Sequence, residues 1–401
     1  SRNNSDQNFL DNLIIDNHAV GNGGGLFSLQ NSPELGGNTI EDNTCGNDGA
    51  GYFANRGGPW IYDNLFLNND SSDDAGGLRI FIGQNAVIED NEFIGNECND
   101  AGGGLKLSHS SNTIRRNLFQ GNSAGGPGGG IALDNEWSDV IDCHFIDNSA
   151  GRGGGMQIWR NETPIIIQDC TFIGNSANNC GGALQLDNND EPVTFDNILV
   201  TENHSNNNGG AFCSQPHMWD DDLTEEDLLE NPNATHCGEL ECPTDFTIYN
   251  SAIWNNTAGD EGAGIYMHLG SVSLENTVLY GNDAPDKGAA VSVKANGHVE
   301  LVNTIVSGNE GSSALFLINE SQNDSYTASL IEKFTNPLLS VTPEPIGRLA
   351  AFTMLPFYIT TASLSGNQFS VFGDCYREVT ETQENYRDCS WFYYEPSKII
   401  K

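Results

Sequence analysis

A phrase of about 27 residues recurs along most of this 401-residue chain. The consensus of the copies is an apolar pair, an Asp, an Asn, a Phe and a Gly-Asn pair, and a glycine triplet then precedes alternating apolar residues. Clear copies occupy 87–107, 113–133, 140–158 and 166–186. The residue two before the Phe marks the period, at Asn64, Asn91, Asn117, Cys143, Cys170 and Asn197 and, after a break, at Asn250, Asn276 and Asn303. About eleven such units fit between residues 9 and 317, and a fixed period of this length predicts a solenoid.

The composition of each unit favours strands over helices. Glycine triplets such as the one that begins at Gly102 destabilise a helix by about 1 kcal/mol per glycine. Leu105-Lys106-Leu107 alternates with period two, which is typical of a strand. A leucine-rich repeat would need an apolar return arm, but here that arm is Gly, Asn, Ser and Asp. We therefore predict an all-β parallel β-helix of about eleven coils, stacked about 4.8 Å apart.

Side chains that recur in every coil should stack on one another. One predicted stack is an internal aromatic column of Phe66, Phe93, Phe119, Phe145 and Phe172. Two further stacks are amide ladders at the bends, one through Asn91 and Asn117 and one through Asn96, Asn122, Asn148 and Asn175. Stacked amides can satisfy one another's donors and acceptors, so these columns need no ligand.

Two short motifs carry a family resemblance. The first is Phe-x-x-Asn, at 93–96, 119–122, 145–148 and 172–175, and the second is Gly-Gly-Ala plus an aliphatic residue, at 181–184. Together they resemble the repeats of chlamydial-type polymorphic outer membrane proteins, within the wider pectate-lyase-like right-handed β-helix superfamily. The likeness covers roughly residues 9–317. It implies an extracellular or surface-displayed solenoid that is used for adhesion.

Two regions depart from the repeat. Residues 214–244 interrupt the solenoid of residues 1–318, and the acidic stretch 220–230 within them predicts a short helix that ends before Asn231-Pro232. Residues 319–401 lose the period and predict a β-rich cap or assembly region. Because the first coil begins as early as Phe9, we expect either that a cap was removed or that another subunit covers the edge of this coil. The second case predicts end-to-end self-association into a fibre.

The charge balance limits the classes of partner that the chain can bind. The chain has 55 acidic and 16 basic residues, a net charge of −39. Such a chain cannot build the basic face that nucleic acid requires, and anionic lipid is equally disfavoured. No apolar run is long enough to span a membrane. Cations, glycans and cell-surface targets remain as candidate partners.

The ten cysteines predict disulfides rather than catalysis. Cys143 and Cys170 occupy one position in adjacent coils, where a disulfide and two buried thiols are both compatible with the spacing, and the disulfide is the favoured interpretation. Further disulfide candidates bracket the insertion or lie near the end of the chain: Cys213, Cys237, Cys242, Cys375 and Cys389.

Two other sets of residues are candidate sites. Asp63, Asp90, Asp142 and Asp169 share a position, which predicts either a column that binds Ca²⁺ or solvated carboxylates, and the second reading is favoured. No other cofactor is expected. Sequons that predict glycosylation in a eukaryotic secretory route occur at Asn3, Asn69, Asn161, Asn203, Asn233, Asn255, Asn319 and Asn323.

An enzymatic role is the second interpretation. The Gly-His-Gly turn and Arg-x-Lys strand that a polygalacturonase-type site would need are missing. Arg79 and Lys106 share an outward strand position, followed by Ala132, Gln157 and Gln185, and this row reads as a glycan contact or, preferably, as a solvated strand face. We therefore expect an extracellular right-handed β-solenoid with a non-enzymatic structural or adhesive role, for instance as a filament subunit. A polysaccharide lyase or hydrolase is the alternative.

Overall fold

The structure, a computed structural model, describes residues 7–317 except 137, 162, 190, 215–243, 269 and 295–296. The described residues form 41 strands and no helix. Every strand pairs in parallel with strands one coil away, and the result is a right-handed β-solenoid. The predicted fold class is confirmed.

The strands form four ladders, which we name A to D in chain order. Each coil contributes one strand to each ladder, except that the last two levels have only isolated bridges, at Asp283 and Glu310, in ladder C. Ladder A comprises β1 Asn8–Leu10, β5 Glu34–Gly36, β9 Trp60–Tyr62, β13 Gln84–Glu89, β16 Leu105–Arg115, β20 Asp139–Ile141, β24 Ile165–Gln168, β28 Val193–Asp196, β32 Asp245–Tyr249, β36 Ser271–Glu275 and β39 His298–Val302. Ladder B comprises β2 Leu13–Ile15, β6 Thr39–Glu41, β10 Leu65–Leu67, β14 Glu92–Ile94, β17 Leu118–Gln120, β21 His144–Ile146, β25 Thr171–Ile173, β29 Leu199–Thr201, β33 Ala252–Trp254, β37 Val278–Tyr280 and β40 Ile305–Ser307.

The other two ladders follow in each coil. Ladder C comprises β3 His18–Ala19, β7 Thr44–Cys45, β11 Asp70–Ser71, β15 Glu97–Cys98, β18 Ser123–Pro127, β22 Ser149–Arg152, β26 Ser176–Cys180, β30 His204–Ser205 and β34 Thr257–Ala258. Ladder D comprises β4 Leu26–Leu29, β8 Tyr52–Asn55, β12 Leu78–Phe81, β16, β19 Ile131–Glu136, β23 Met156–Trp159, β27 Leu184–Asp187, β31 Phe212–Ser214, β35 Ile265–His268, β38 Val291–Lys294 and β41 Leu315–Leu317. Strand β16 runs through both D and A, so these two ladders form one 21-stranded sheet. The eleven strands of ladder B bound ten complete turns, close to the eleven coils predicted.

A column of stacked phenylalanines runs through the core. Rings of neighbouring coils lie 4.6 to 5.0 Å apart between centroids, and their planes are within 7° of parallel. The column comprises Phe66, Phe93, Phe119, Phe145 and Phe172, all fully buried. Ile40 continues it on one side and Val200 on the other. The predicted aromatic column is confirmed, and the burial of these rings stabilises each coil against the next.

One amide ladder extends over all eleven levels between ladders B and C. It comprises Asn17, Asn43, Asn69, Asn96, Asn122, Asn148, Asn175, Asn203, Asn256, Asn282 and Asn309. Each Oδ1 accepts both the backbone N–H and the Nδ2–H of the preceding Asn, as Asn122 does from Asn96 at 3.0 Å. Each Nδ2 also donates to a backbone carbonyl, so the buried amides are satisfied.

The other amide ladder, between ladders A and B, is shorter. It comprises Asn12, Asn38, Asn64, Asn91 and Asn117 and then continues through Cys143, Cys170, Ile198, Ser251, Thr277 and Thr304. The prediction that Asn197, Asn250, Asn276 and Asn303 belong to it is wrong. These four lie one residue earlier, at positive φ, where Asn is tolerated at little cost.

The long gap in the period contains no additional coil. Leu199 of β29 pairs directly with Ala252 of β33, although 53 residues separate them. The extra length therefore adds no level to the stack of described strands. The helix predicted at 220–230 and the region 319–401 lie outside the described residues.

Candidate functional site

The turn between ladders C and D folds over the outer face of ladder D. Gly102 has a φ of +78°, and a Cβ there would lie 2.7 Å from the Cβ of Lys106. Gly209 repeats this arrangement over Cys213, at 2.8 Å. Only glycine fits so close an approach at positive φ. The turns therefore form a wall along the outward-facing side chains of ladder D.

The row predicted from Arg79 and Lys106 lies beneath this wall. Parallel pairing places Arg79, Lys106, Ala132, Gln157 and Gln185 at successive levels, as predicted. The preferred reading of a solvated strand face is wrong, because Arg79 is 5 % exposed and Gln185 is 2 % exposed. Polar side chains are thus held in a covered position.

A cleft of about 670 Å³ opens along this row. It lies where the strands of ladder C are longest, in β18, β22 and β26. The polar and aromatic groups that line it include Lys106, Asp134, Arg152, Gln157, Trp159 and Asn179. A volume of this size is in the range of small-molecule binding sites.

Acidic groups and Lys106 define one end of the cleft. Lys106 Nζ lies 2.7 Å from Asp74 Oδ2, so its charge is already paired. Asp134 Oδ2 accepts from the Ser108 hydroxyl at 3.2 Å, while its Oδ1 is buried and has no hydrogen-bond partner among the described residues. Burial raises the pKa of Asp134, and partial burial together with Asp74 raises the pKa of Asp100, which also lines this end.

A buried carboxyl group lies under the other end. Asp187 is fully buried and accepts hydrogen bonds from Gln157 Nε2 at 3.0 Å and Gln185 Nε2 at 2.9 Å. Burial raises its pKa to about 7. These bonds fix the Gln157 amide at the cleft surface.

The basic and aromatic side chains of the cleft come from β22 and β23. Arg152, the last residue of β22, lines the cleft, and its guanidinium makes no hydrogen bond or salt bridge within the described part of the chain. The Arg160 guanidinium lies 4.7 Å from the centre of the Trp159 ring and holds it at the rim. The cleft therefore offers donors, acceptors and an indole ring, which together suit a ligand that is rich in hydroxyl groups.

The repeat period predicts the floor of the cleft, which is the row from Arg79 to Gln185, but it does not predict the walls. No prediction from the sequence includes Asp134, Arg152, Trp159 or Asn179. Extending the repeat period would have found two of these. Trp159 lies two residues after Gln157, and Asp134 is the residue that pairs with Trp159 one coil earlier.

The predicted calcium column does not form a cluster of three carboxylates. Asp63, Asp90, Asp142 and Asp169 lie at positive φ on successive bends, with Arg116 between the second and third. Arg116 makes a bidentate pair with Asp90 at 2.6 and 2.7 Å, and Asp169 accepts from Asn197 Nδ2 at 2.6 Å. Three acidic ligands approach one another elsewhere in the described chain, at Asp73, Asp74 and Asp100 and at Asp260, Glu261 and Asp286. Calcium binding stays a prediction.

The disulfides differ from those predicted. Cys143 and Cys170 are buried free thiols, so the favoured disulfide between them is wrong. Each sulfur replaces an Asn oxygen in the ladder, with Cys143 Sγ accepting from the Asn117 N–H at 3.5 Å. Cys213 forms a disulfide with Cys180, across a Cα separation of 5.7 Å, and not with the insertion cysteines. The remaining candidates, Cys237, Cys242, Cys375 and Cys389, lie outside the described residues.

The sequons fall into three groups. Asn69, Asn161 and Asn203 are fully buried and donate hydrogen bonds through Nδ2, so glycosylation there is incompatible with this fold. Asn255 is exposed, and its glycosylation stays a prediction. The others, Asn3, Asn233, Asn319 and Asn323, lie outside the described residues.

Comparison with known proteins agrees with this architecture. Residues 2–175 match the family described as right handed beta helix region. Residues 169–187, the part of the coil that contains Phe172, Asn175 and 181–184, match the Chlamydia polymorphic membrane protein repeat. Searches of curated proteins and of solved structures found no significant match. No described residues form a helix that could cross a membrane. The chain is thus similar to the right handed beta helix region over residues 2–175 and to the Chlamydia polymorphic membrane protein repeat over residues 169–187.

Proposed function

We propose that this protein is a surface-displayed β-solenoid that acts as an adhesin and binds a glycan in the cleft along ladder D. The observation that carries the proposal is the covered row of polar side chains next to Trp159. Proteins bind sugars through hydrogen bonds to hydroxyl groups and through contact of the apolar sugar face with an aromatic ring. The stiff stack of coils would hold these groups in fixed positions, which lowers the entropy lost on binding.

The match to the polymorphic membrane protein repeat supports surface display. Buried disulfide Cys180–Cys213 supports it independently, because disulfides persist chiefly in oxidising compartments. Immunolabelling of intact, unpermeabilised cells of the source organism would test it. Labelling only after permeabilisation would contradict surface display.

Glycan binding is tested by substituting the two cleft groups that would contact a sugar. We expect the wild-type protein to bind members of a glycan array, and we expect Trp159→Ala and Gln157→Ala each to weaken that binding about tenfold or more. Trp60→Ala is the matched control, because Trp60 is a 46 % exposed tryptophan on ladder A, outside the cleft. Absence of binding to every glycan, or equal loss in Trp60→Ala, would contradict the proposal.

A polysaccharide lyase or hydrolase remains the second candidate. The observation that favours it is the pair Asp100 and Asp134, two carboxyl groups with raised pKa values that line one cleft. If the protein cleaves a glycan that it binds, and Asp134→Asn abolishes cleavage while binding persists, an enzymatic function replaces the adhesive one. Unchanged glycan after long incubation supports the adhesive proposal.

End-to-end assembly into a filament also remains a proposal. The first described coil exposes apolar side chains, with Leu13 64 %, Val20 87 % and Phe27 54 % exposed. A second copy would cover them, and so would further coils of a longer polypeptide. Sedimentation analysis over a range of concentrations tests the assembly directly. Growth of the sedimentation coefficient with concentration supports the filament, and a constant monomer contradicts it.

A further inference from the structure

Arg152 has a guanidinium group that makes no hydrogen bond or salt bridge within the described residues, although it is half-buried. The two basic groups on the row beneath the wall, by contrast, are compensated by Asp74, with Lys106 Nζ at 2.7 Å and Arg79 Nε at 3.7 Å. Arg152 interacts electrostatically with the buried Asp187, but that carboxyl group accepts its hydrogen bonds from two glutamine amides. A half-buried guanidinium that the protein does not pair is available to an anionic group of a ligand.

The opposite end of the cleft has an acceptor without a donor. Asp134 Oδ1 is buried and has no hydrogen-bond partner within the described residues. A buried acceptor of this kind is costly unless a ligand or water donates to it. The unpaired donor and the unpaired acceptor line the same cleft, so they are complementary to a ligand that carries both an anionic group and hydroxyl groups.

The charge of the whole molecule limits how many anionic groups the ligand can carry. With a net charge of −39, the protein repels a polyanion over the Debye length of about 8 Å at physiological ionic strength. Cleft acids Asp100 and Asp134 add to that repulsion locally. One carboxylate placed on Arg152 gains a charge-assisted pair, whereas its neighbours along a polyuronate would face acidic groups.

We propose that the cleft selects a glycan with one carboxylated sugar among neutral sugars, and that Arg152 binds its carboxylate while Asp134 accepts from a hydroxyl group. This inference rests on the proposed glycan binding and names its ligand class. The planar guanidinium matches a carboxylate in two parallel hydrogen bonds, so Arg152 is a specificity-determining residue.

The test is calorimetric titration of the protein with three tetrasaccharides of equal length. One has a single uronate among neutral sugars, one has that uronate reduced to the neutral sugar, and one consists of uronates only. We expect the single-uronate compound to bind about tenfold or more tighter than either of the others. Arg152→Gln should remove this preference, so that the single-uronate compound binds the variant no more tightly than the neutral compound does. Arg56→Gln is the control, because it removes the same charge at an exposed bend where Gln30 occupies the equivalent position one coil earlier.

The outcomes separate this inference from the proposed function. Equal binding of the three compounds, or an unchanged preference in Arg152→Gln, overturns the role of Arg152 while glycan binding stands. Tightest binding of the all-uronate compound overturns the limit to one carboxylate. If none of the compounds binds and the glycan array is also negative, the proposed function fails and this inference fails with it.

Discussion

Individual residues of this solenoid act through their copies in the neighbouring coils. An isolated buried Asn would leave amide groups unsatisfied, but in the ladder between B and C each Asn donates to one neighbour and accepts from the other. Asn122 shows the full set, since its Nδ2 donates to Phe93 O at 2.8 Å and to Asn148 Oδ1 at 3.0 Å while its Oδ1 accepts from Asn96. Each Asn of the ladder thus completes the hydrogen bonds of the Asn residues in the two neighbouring coils.

Replacing one ladder residue should therefore cost more than one hydrogen bond. Asn122→Ala removes the acceptor of the Asn96 backbone N–H and the donor to Phe93 O, both buried, so we expect a loss of about 3 kcal/mol or more in the free energy of unfolding. Gln120→Ala, which removes an exposed amide two residues away, should change it by less than about 0.5 kcal/mol. Urea denaturation of both variants measures the difference, and equal midpoints would contradict the role of the ladder.

Asp187 predicts a pH dependence with a definite sign. Its pKa in the folded protein is about 7, well above the value of an exposed Asp, so between these two values the folded state binds a proton that the unfolded state releases. The contribution of Asp187 to stability is therefore present at low pH and is lost as the pH rises through 7. From pH 5 to pH 8 the free energy of unfolding of the wild type should fall by about 2 to 3 kcal/mol relative to Asp187→Asn. If denaturant titrations gave the wild type and Asp187→Asn the same dependence of the free energy of unfolding on pH, the pKa of Asp187 would not be raised.

At the scale of residues, the sequence predicts which side chains stack, but it does not predict what a different residue type does at a position of the ladder. The Phe and Asn columns follow from the period because identical side chains must lie at one level. Cys143 and Cys170 share a level too, but period alone does not distinguish a disulfide from a thiol that replaces the amide oxygen. The structure has the second arrangement, with the Cys143 N–H donating to Cys170 Sγ at 3.4 Å.

Among the elements, ladder C and the turn that follows it determine where the site lies. Glycine triplets predict a turn, but they do not predict that the turn folds back over ladder D. The cleft forms where β18, β22 and β26 have four or five residues, against two in β3, β7, β11 and β15. Strand length depends on pairing with adjacent coils, so the walls of the cleft could not be read from one repeat.

The Cys180–Cys213 disulfide links β26 to β31, which belongs to the next coil and is the last strand before the insertion. It closes a loop of 33 residues, for which chain entropy predicts a stabilisation of about 3 to 4 kcal/mol. We expect Cys213→Ala to lose about this amount. Cys98→Ala, at a buried cysteine outside any described disulfide, serves as the control and should lose less. Peptide mapping of the unreduced protein should recover 180–213 as a linked pair, while linkage of Cys213 to another cysteine would contradict the assignment.

The whole molecule is a rod of stacked coils with the cleft along its side. Eleven stacked levels fix the order of the described side chains along the axis, so the cleft and the acidic bends each lie at a defined height. The net charge of −39 surrounds a cleft in which the Arg152 guanidinium makes no salt bridge, which supports the proposed preference for ligands with few charges. The coil count and fold class follow from the sequence period. The position of the cleft requires the three-dimensional packing of turns against strands.

The central claim is that one coil per repeat stacks without interruption from the first level to the last. Glu41 of β6 and Tyr280 of β37 occupy one outward column of ladder B, eight coil steps apart. Spin labels at Glu41→Cys and Tyr280→Cys should therefore give a narrow distance distribution near about 38 Å by double electron–electron resonance, from eight steps of about 4.8 Å. A broad distribution, or one centred beyond about 50 Å, would contradict continuous stacking and the cleft that depends on it.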